Sequence, residues 1–406
     1  MSTQARGSVG YEVQVVILLG LSYGFAFYDR QMMTFLSPFV IKEFGLNNFQ
    51  VGALGSGLSL TWALGAYAFG RWSDRLGVRK PFLVAALVIF SLCSVLSGLA
   101  PEFWSLLGSR VLMGAVEGPF MPICLAIVAA AAPAQRRGFD SGIVQNVFGS
   151  LLGGALAPLL SVKIAVALGW RASFFTAAMP GLLLALIVWK CVDEPAKRAP
   201  GTLASEPPLS IAAMLGHRNI ALCCVISCLL VGSALLVAIF LPVYLTSTRH
   251  YSPTLMSNIM AILGFCPPVG GVLLPWLSDR YGRRWPLIGG AALMTITPLA
   301  ALYFEGSLPM LVALLFLGWI GMGTFPLFMA VVPAETLAFR GTAAAMGLVV
   351  GVGEITGGVF GPLVAGRIAD LFGQAAPLLI AAGLAILGAL VALAVIETNP
   401  RNARTA

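Results

Sequence analysis

Charge is what this sequence has least of. Only 10% of its 406 residues are Asp, Glu, Lys or Arg, where soluble domains carry roughly 25%. A chain this poor in charge cannot clothe a water-soluble globule. Histidine is scarcer still. His217 and His250 lie near opposite ends of one apolar run, which argues against a two-histidine metal site. None of the five lysines precedes Ser or Thr, so there is no Walker A loop and no sign of direct ATP use. Cysteine is present in an odd number, with no Cys-x-x-Cys pair. Cys93, Cys124, Cys191, Cys223, Cys224, Cys228 and Cys266 sit in or at the ends of apolar runs and read as core packing. No stretch outside those runs is long enough for an enzyme domain, so the chain is not expected to be an enzyme.

What is there is apolar. Hydrophobic residues make up 59% of the chain, and runs of about twenty recur from end to end. We read twelve helices, roughly 13–37, 51–70, 81–100, 104–130, 140–162, 172–191, 217–245, 254–277, 285–304, 310–332, 341–365 and 376–396. The N-terminus has one Arg6 and no small-residue cleavage site after the first run, which is therefore expected to stay as a helix. The connections are short except around Pro195, Pro200, Pro207 and Pro208. The expected organisation is a six-helix bundle over 1–192, a cytoplasmic linker over 193–216 and a second six-helix bundle over 217–406.

The net charge of +8 does not point to nucleic acid, because Lys and Arg collect in loops at alternate helix ends and form no aromatic-interleaved stripe. Seventeen fall on one side and five on the other, while Arg30 and Arg110 lie within apolar runs. The positive-inside rule then places both termini in the cytoplasm of a multi-pass inner (plasma) membrane protein.

The two halves repeat. Ser73-Asp74-Arg75-Leu76-Gly77 returns 205 residues later as Ser278-Asp279-Arg280-Tyr281-Gly282. Gly153-Gly154 returns as Gly357-Gly358, and Arg137-Gly138 as Arg340-Gly341. A parallel duplication of six helices predicts a substrate site near mid-membrane between the halves.

The stretch from Gly70 to Lys80, with its second copy from Pro275 to Arg284, resembles the signature loop between helices 2 and 3 of the major facilitator superfamily. That resemblance implies an all-α membrane protein with twelve transmembrane helices in two pseudo-symmetric six-helix bundles. Gly77 and Gly282 suit a sharp turn. Asp74 and Asp279 are expected to bond helix ends or basic residues of a neighbouring helix. With Arg75 and Arg280 they form candidate gating latches.

Four charged side chains lie where charge is expensive. Asp29 and Arg30 are neighbours in the first run and point about 100° apart. Arg110 and Glu117 share a face of the fourth run, about two turns or roughly 10 Å apart. Two acids and two bases are neutral together. A proton on one acid leaves positive charge that favours an incoming anion. A purely structural ion-pair network is the alternative. Tyr28-Asp29-Arg30, with the stretch from Arg110 to Pro119, resembles the anion:cation symporter branch, although Ala26-Phe27 precede Tyr28 where the branch often has Asn-Tyr. The resemblance implies proton coupling at Asp29 and Glu117, substrate contact at Arg30, and an Arg110 that organises Glu117. Spinster-type lipid transporters share a similar pattern.

Further candidates for the substrate site are Gln145 and Asn146, Trp62 and Tyr67, Tyr244 and Asn258, and Glu354 in a Gly-rich helix. Each has a bland alternative in helix packing. The expected function is proton-coupled import of a small organic carboxylate by alternating access. A drug or metabolite exporter and a spinster-like lysolipid transporter are the alternatives. The expected protein is a monomer in the bilayer, with no cofactor other than protons as coupling ion, no metal and no nucleic-acid partner.

Overall fold

A computed structural model describes residues 9–133, 136–195, 210–337 and 342–399, apart from the side chains of residues 9, 74 and 343. The centre of the expected linker and the Arg340-Gly341 repeat copy fall outside them. The described residues are helices and their connections, with no strand among them. Twelve helical rods follow in order: α1 (Val9–Phe44), α2 (Asn48–Leu76), α3 (Lys80–Leu99), α4 (Phe103–Ala131), α5 (Arg137–Leu168), α6 (Trp170–Cys191), α7 (Arg218–Ser247), α8 (Pro253–Tyr281), α9 (Arg284–Tyr303), α10 (Leu308–Thr336), α11 (Thr342–Phe372) and α12 (Ala376–Ala392). One short turn, Ile211–Leu215, precedes α7. Ten rods are long and apolar enough to cross a membrane.

Several rods run past the apolar windows that mark them in sequence. α1 continues to Phe44, and α2 runs from Asn48 to Leu76. The windows register only the hydrocarbon-matched portion, whereas helical hydrogen bonding continues into the polar zone, where Lys42, Arg71 and Arg75 are solvated.

The chain divides into two compact units. One comprises Met1–Leu46, Gly57–Leu203 and Ser252–Gly264; the other comprises Asn47–Ser56, Ala204–Tyr251 and Phe265–Ala406. The first unit is centred on Leu19, Leu83, Leu87, Phe90, Met113 and Ile127. The second is centred on Ile220, Leu230, Leu287, Phe328, Val349 and Ala385. All seven cysteines are free thiols, and five of them are buried. Large apolar side chains such as Leu183, Val272 and Phe372 stand exposed on the outside, as a lipid-facing surface requires.

Close approach in the first unit is set by small residues. α4 breaks at Gly118-Pro119. Pro119 has no N–H to return to the Ala115 carbonyl, and that carbonyl lies against Gly65 of α2. A Cβ on Gly65 would sit 2.0 Å from it, and one on Gly118 would sit 2.2 Å from the Trp62 carbonyl. Thr61 Oγ1 donates to the Val111 carbonyl at 2.7 Å across the same seam. The backbones of α2 and α4 therefore touch, which carries Trp62 towards the charged end of α4.

The repeat extends to the helix caps. Glu194 accepts from the N–H groups of Arg79 and Lys80 at 2.6 and 2.8 Å, closing the start of α3. Glu397 accepts from Arg283 and Arg284 at 2.8 and 3.1 Å, closing the start of α9. A carboxylate at a helix N-terminus satisfies free donors and meets the positive end of the helix dipole.

Four variants test these contacts. Gly118→Val should lower the stability of the detergent-purified protein by about 1–3 kcal/mol. Gly108→Ala, whose added Cβ meets nothing within 4 Å, should leave it unchanged or slightly raised. Glu194→Ala and Glu397→Ala should each cost about 1 kcal/mol, read as a lower melting midpoint.

Candidate functional site: a buried charge cluster in the first unit

Asp29, Arg110 and Glu117 are all buried, with exposures of 0%, 1% and 6%, while Arg30 is half-buried. α1 supplies Asp29 and Arg30, α4 supplies Arg110 and Glu117, and α3 and α6 close the group with Ser94 and Phe174. Asp29 Oδ1 accepts from Ser94 Oγ at 3.0 Å, and the same hydroxyl lies 3.0 Å from the Phe174 carbonyl. Asp29 Oδ2 and Glu117 Oε1 are buried without a hydrogen-bond partner. Leaving such atoms unsatisfied in an ionised carboxylate is costly.

The cations do not neutralise the acids by direct contact. No Arg30 or Arg110 nitrogen comes within ion-pair distance of Asp29 or Glu117 among the described residues. The Arg110 guanidinium stacks over the Phe174 ring at 5.2 Å. It donates to Met113 Sδ at 2.9 Å and approaches the Asp29 carbonyl at 3.5 Å. Arg30 lies over the Trp62 ring at 5.2 Å. Arg110 lies near Asp29, and both Arg30 and Arg110 lie near Glu117. Two helical turns separate Arg110 from Glu117, and the guanidinium is held on Phe174, Met113 and the Asp29 backbone.

The other candidates are dispersed. Gln145 and Asn146 lie in the first unit on α5, where Ile143–Leu156 winds as a π-helix and the Ala157 N–H donates five residues back to Leu152. Gln145 is half-buried and reaches Met121 Sδ at 3.6 Å, while Asn146 is exposed. Such widened turns concentrate at functional sites. Trp62 belongs to the charge cluster through Arg30. Tyr67 does not: it is exposed, and its hydroxyl accepts from Arg71 at 2.6 Å. Asn258 is exposed on α8. Tyr244 and Glu354 belong to the second unit, Tyr244 buried on α7 and Glu354 half-buried at the start of the α11 π-turn Glu354–Phe360.

In the latch loops, Gly77 and Gly282 take φ of 64° and 91°, where side chains are strained. The Asp74 side chain lies outside the described residues, and Arg75 is exposed. Asp279 pairs with Arg283, four residues on. Arg283, at the start of α9, also donates to Glu335 of α10 at 2.8 Å. Asp279 thus meets the basic residue at the start of α9, and its side chain is largely exposed. Burial alone would lower the Arg283 pKa, but the bonds to Glu335 and Asp279 outweigh it and hold the pKa above its ordinary value. Arg280 stacks on Trp276 at 4.1 Å. Sequence reasoning missed Ser94, Phe174, Glu194, Glu335 and Glu397. Ser91, Ser94 and Ser97, spaced by three in an apolar helix, were the available signal for the first.

Rods of membrane-spanning length around a buried cluster of two acids and two bases define a polytopic membrane protein. The family model described as Major Facilitator Superfamily matches residues 19–267 and 222–406, and the chain belongs to that superfamily. A probable 4-methylmuconolactone transporter of Cupriavidus pinatubonensis is 30% identical over 64% of this chain and 61% of its own length. The hexuronate transporter of Bacillus subtilis is 31% identical over 48% of this chain and 47% of its own. The gallate transporter of Pseudomonas putida is 27% identical over 94% and 92%. An inward-facing bacterial homologue of the human lysosomal transporter Spinster shares the fold, with TM-score 0.81, 19% identity and coverage of 96% and 97%. The fold is the all-α, two-bundle major facilitator fold.

Arg110→Lys keeps the charge but loses the planar stack on Phe174. It should destabilise the purified protein by about 1–2 kcal/mol, measured as a lower melting midpoint.

Proposed function

We propose that this protein imports a small organic carboxylate together with protons, by alternating access, as a monomer in the plasma membrane with both termini cytoplasmic. One observation carries the reading. Two buried carboxyl groups each leave an oxygen without a hydrogen-bond partner, and each faces an arginine that does not contact it. The four groups are neutral together when both acids are ionised. A proton taken up by either acid leaves one positive charge in excess, which attracts an anion. Asp29 and Glu117 are the proposed proton sites, Arg30 the anchor for the substrate carboxylate, and Arg110 the cation that sets the field at Asp29. Gln145, Asn146 and Trp62, with Tyr244, Asn258 and Glu354, are proposed to give the substrate polar and aromatic contacts. The latch loops around Gly77 and Gly282 are proposed to gate the transport cycle. Protons serve as the coupling ion, with no other cofactor. Support for an anionic substrate comes from the gallate and hexuronate transporters, whose named substrates are carboxylates.

A second reading is export, supported by a probable sugar efflux transporter of Helicobacter pylori, 27% identical over 70% of this chain. One experiment separates the two. Proteoliposomes given an inward proton gradient should accumulate labelled gallate or a labelled hexuronate. Asp29→Asn and Glu117→Gln should reduce accumulation to the level of protein-free vesicles while sparing exchange of labelled for unlabelled substrate. Normal accumulation by both variants would overturn the coupling assignment. Proton-driven movement in the opposite direction alone would favour the exporter.

A further inference from the structure

α3 carries three serines in one row, Ser91, Ser94 and Ser97, all fully buried. Two of them bond a carbonyl of their own helix. Ser91 donates to the Leu87 carbonyl at 2.8 Å and Ser97 lies 2.9 Å from the Cys93 carbonyl, each four residues back, while Ser97 is also 2.8 Å from Ser109 Oγ of α4. This is the ordinary behaviour of a hydroxyl in an apolar helix. Ser94 differs. Its hydroxyl leaves α3 and sits between Asp29 of α1 and the Phe174 carbonyl of α6, 3.0 Å from an oxygen of each.

A serine hydroxyl has one hydrogen and two lone pairs. Facing two acceptors, it satisfies only one of them by donation. The geometry becomes complete in one protonation state. With a proton on Asp29 Oδ1, the carboxyl donates to Ser94 Oγ, and Ser94 donates onward to the Phe174 carbonyl. When Asp29 is ionised, the Ser94 hydrogen turns to the carboxylate, a stronger charge-assisted bond, and the Phe174 carbonyl loses its side-chain donor. We infer that Ser94 reads the proton on Asp29, and that its hydroxyl turns between α1 and α6 as that proton comes and goes. Ser94 is thus a positioning residue that ties the charge of α1 to the packing of α3 and α6. The inference rests on Asp29 being a proton site, as proposed above.

The surroundings leave Ser94 in this position. Asp29 faces Arg110 and Glu117 from α4 and Cys93 and Ser94 from α3, with Tyr28 and Arg30 beside it on α1. Among the hydrogen bonds of the described residues, Ser94 is the side-chain donor at 3.0 Å to the Asp29 carboxyl. Phe174 ties the arrangement together, because its ring holds the Arg110 guanidinium and its carbonyl holds the Ser94 hydroxyl. A change at Ser94 is therefore felt by the cation that faces Asp29.

The test follows the proton itself and needs no substrate. The full chain in lipid is titrated by infrared difference spectroscopy, and the carboxylic C=O band that vanishes in Asp29→Asn is assigned to Asp29. In Ser94→Ala that band should shift to higher frequency, because the carboxyl has lost its acceptor. Its titration midpoint should move about one pH unit alkaline, because the ionised form loses a charge-assisted bond. Ser94→Thr restores the hydroxyl and should bring both values back. Ser94→Cys, close in size but a weak hydrogen-bonding group, should fall between Ala and wild type, and it carries the comparison if Ala or Thr does not fold. An unchanged band and midpoint in Ser94→Ala, or in Ser94→Cys in its place, would overturn the role of Ser94. Absence of any titrating band that depends on Asp29 would instead overturn the proton site on which the inference rests.

Discussion

The constraint on which the first unit depends is a carboxyl group at Asp29 fully buried among helices. Ionised and alone, such a group is unfavourable by far more than a fold's net stability. The unit answers with three moderate interactions rather than a direct ion pair: a hydroxyl from α3, a guanidinium nearby on α4, and a backbone carbonyl that fixes that guanidinium. Because the guanidinium is also stacked on Phe174, the position of the charge depends on α6. Four helices are therefore arranged around one side chain.

That arrangement requires helices to approach closely where their side chains are small. The α2–α4 seam through Gly65, Gly114 and Gly118 brings backbone against backbone. Pro119 contributes by breaking the ladder of α4 just after Glu117. Packing and charge are thus coupled, since the seam that brings Trp62 against α4 also carries the ring on which Arg30 rests.

The duplication keeps the scaffold and lets the chemistry diverge. Both halves reuse the glycine turn of the latch loop, and both cap the following helix with a distant glutamate, Glu194 in one and Glu397 in the other. The buried charges were not duplicated. The positions that correspond to Arg110 and Glu117 are Leu315 and Met322, and Leu315 is fully buried in an apolar setting. The second unit has its own charged group at the latch loop, where Arg283 joins Asp279 to Glu335.

The sequence by itself determined the class of the molecule. Apolar runs of membrane length, the duplicated loop and the misplaced charges at Asp29, Arg30, Arg110 and Glu117 are all visible as composition and spacing, because the bilayer imposes length and polarity on any chain that crosses it. Which charge faces which was decided only by the tertiary structure. Spacing along α4 placed Arg110 and Glu117 on one face, and only the packed structure shows Arg110 turned to Phe174 and Asp29, residues 64 positions later and 81 positions earlier in the chain. The row of Ser91, Ser94 and Ser97 was visible in the sequence, but only the packing of α1 and α6 on either side of Ser94 sets it apart. Periodicity records which face of a helix is buried. It does not record what lies opposite, because that depends on the crossing of other helices, and partners within 3 Å are set by that crossing alone.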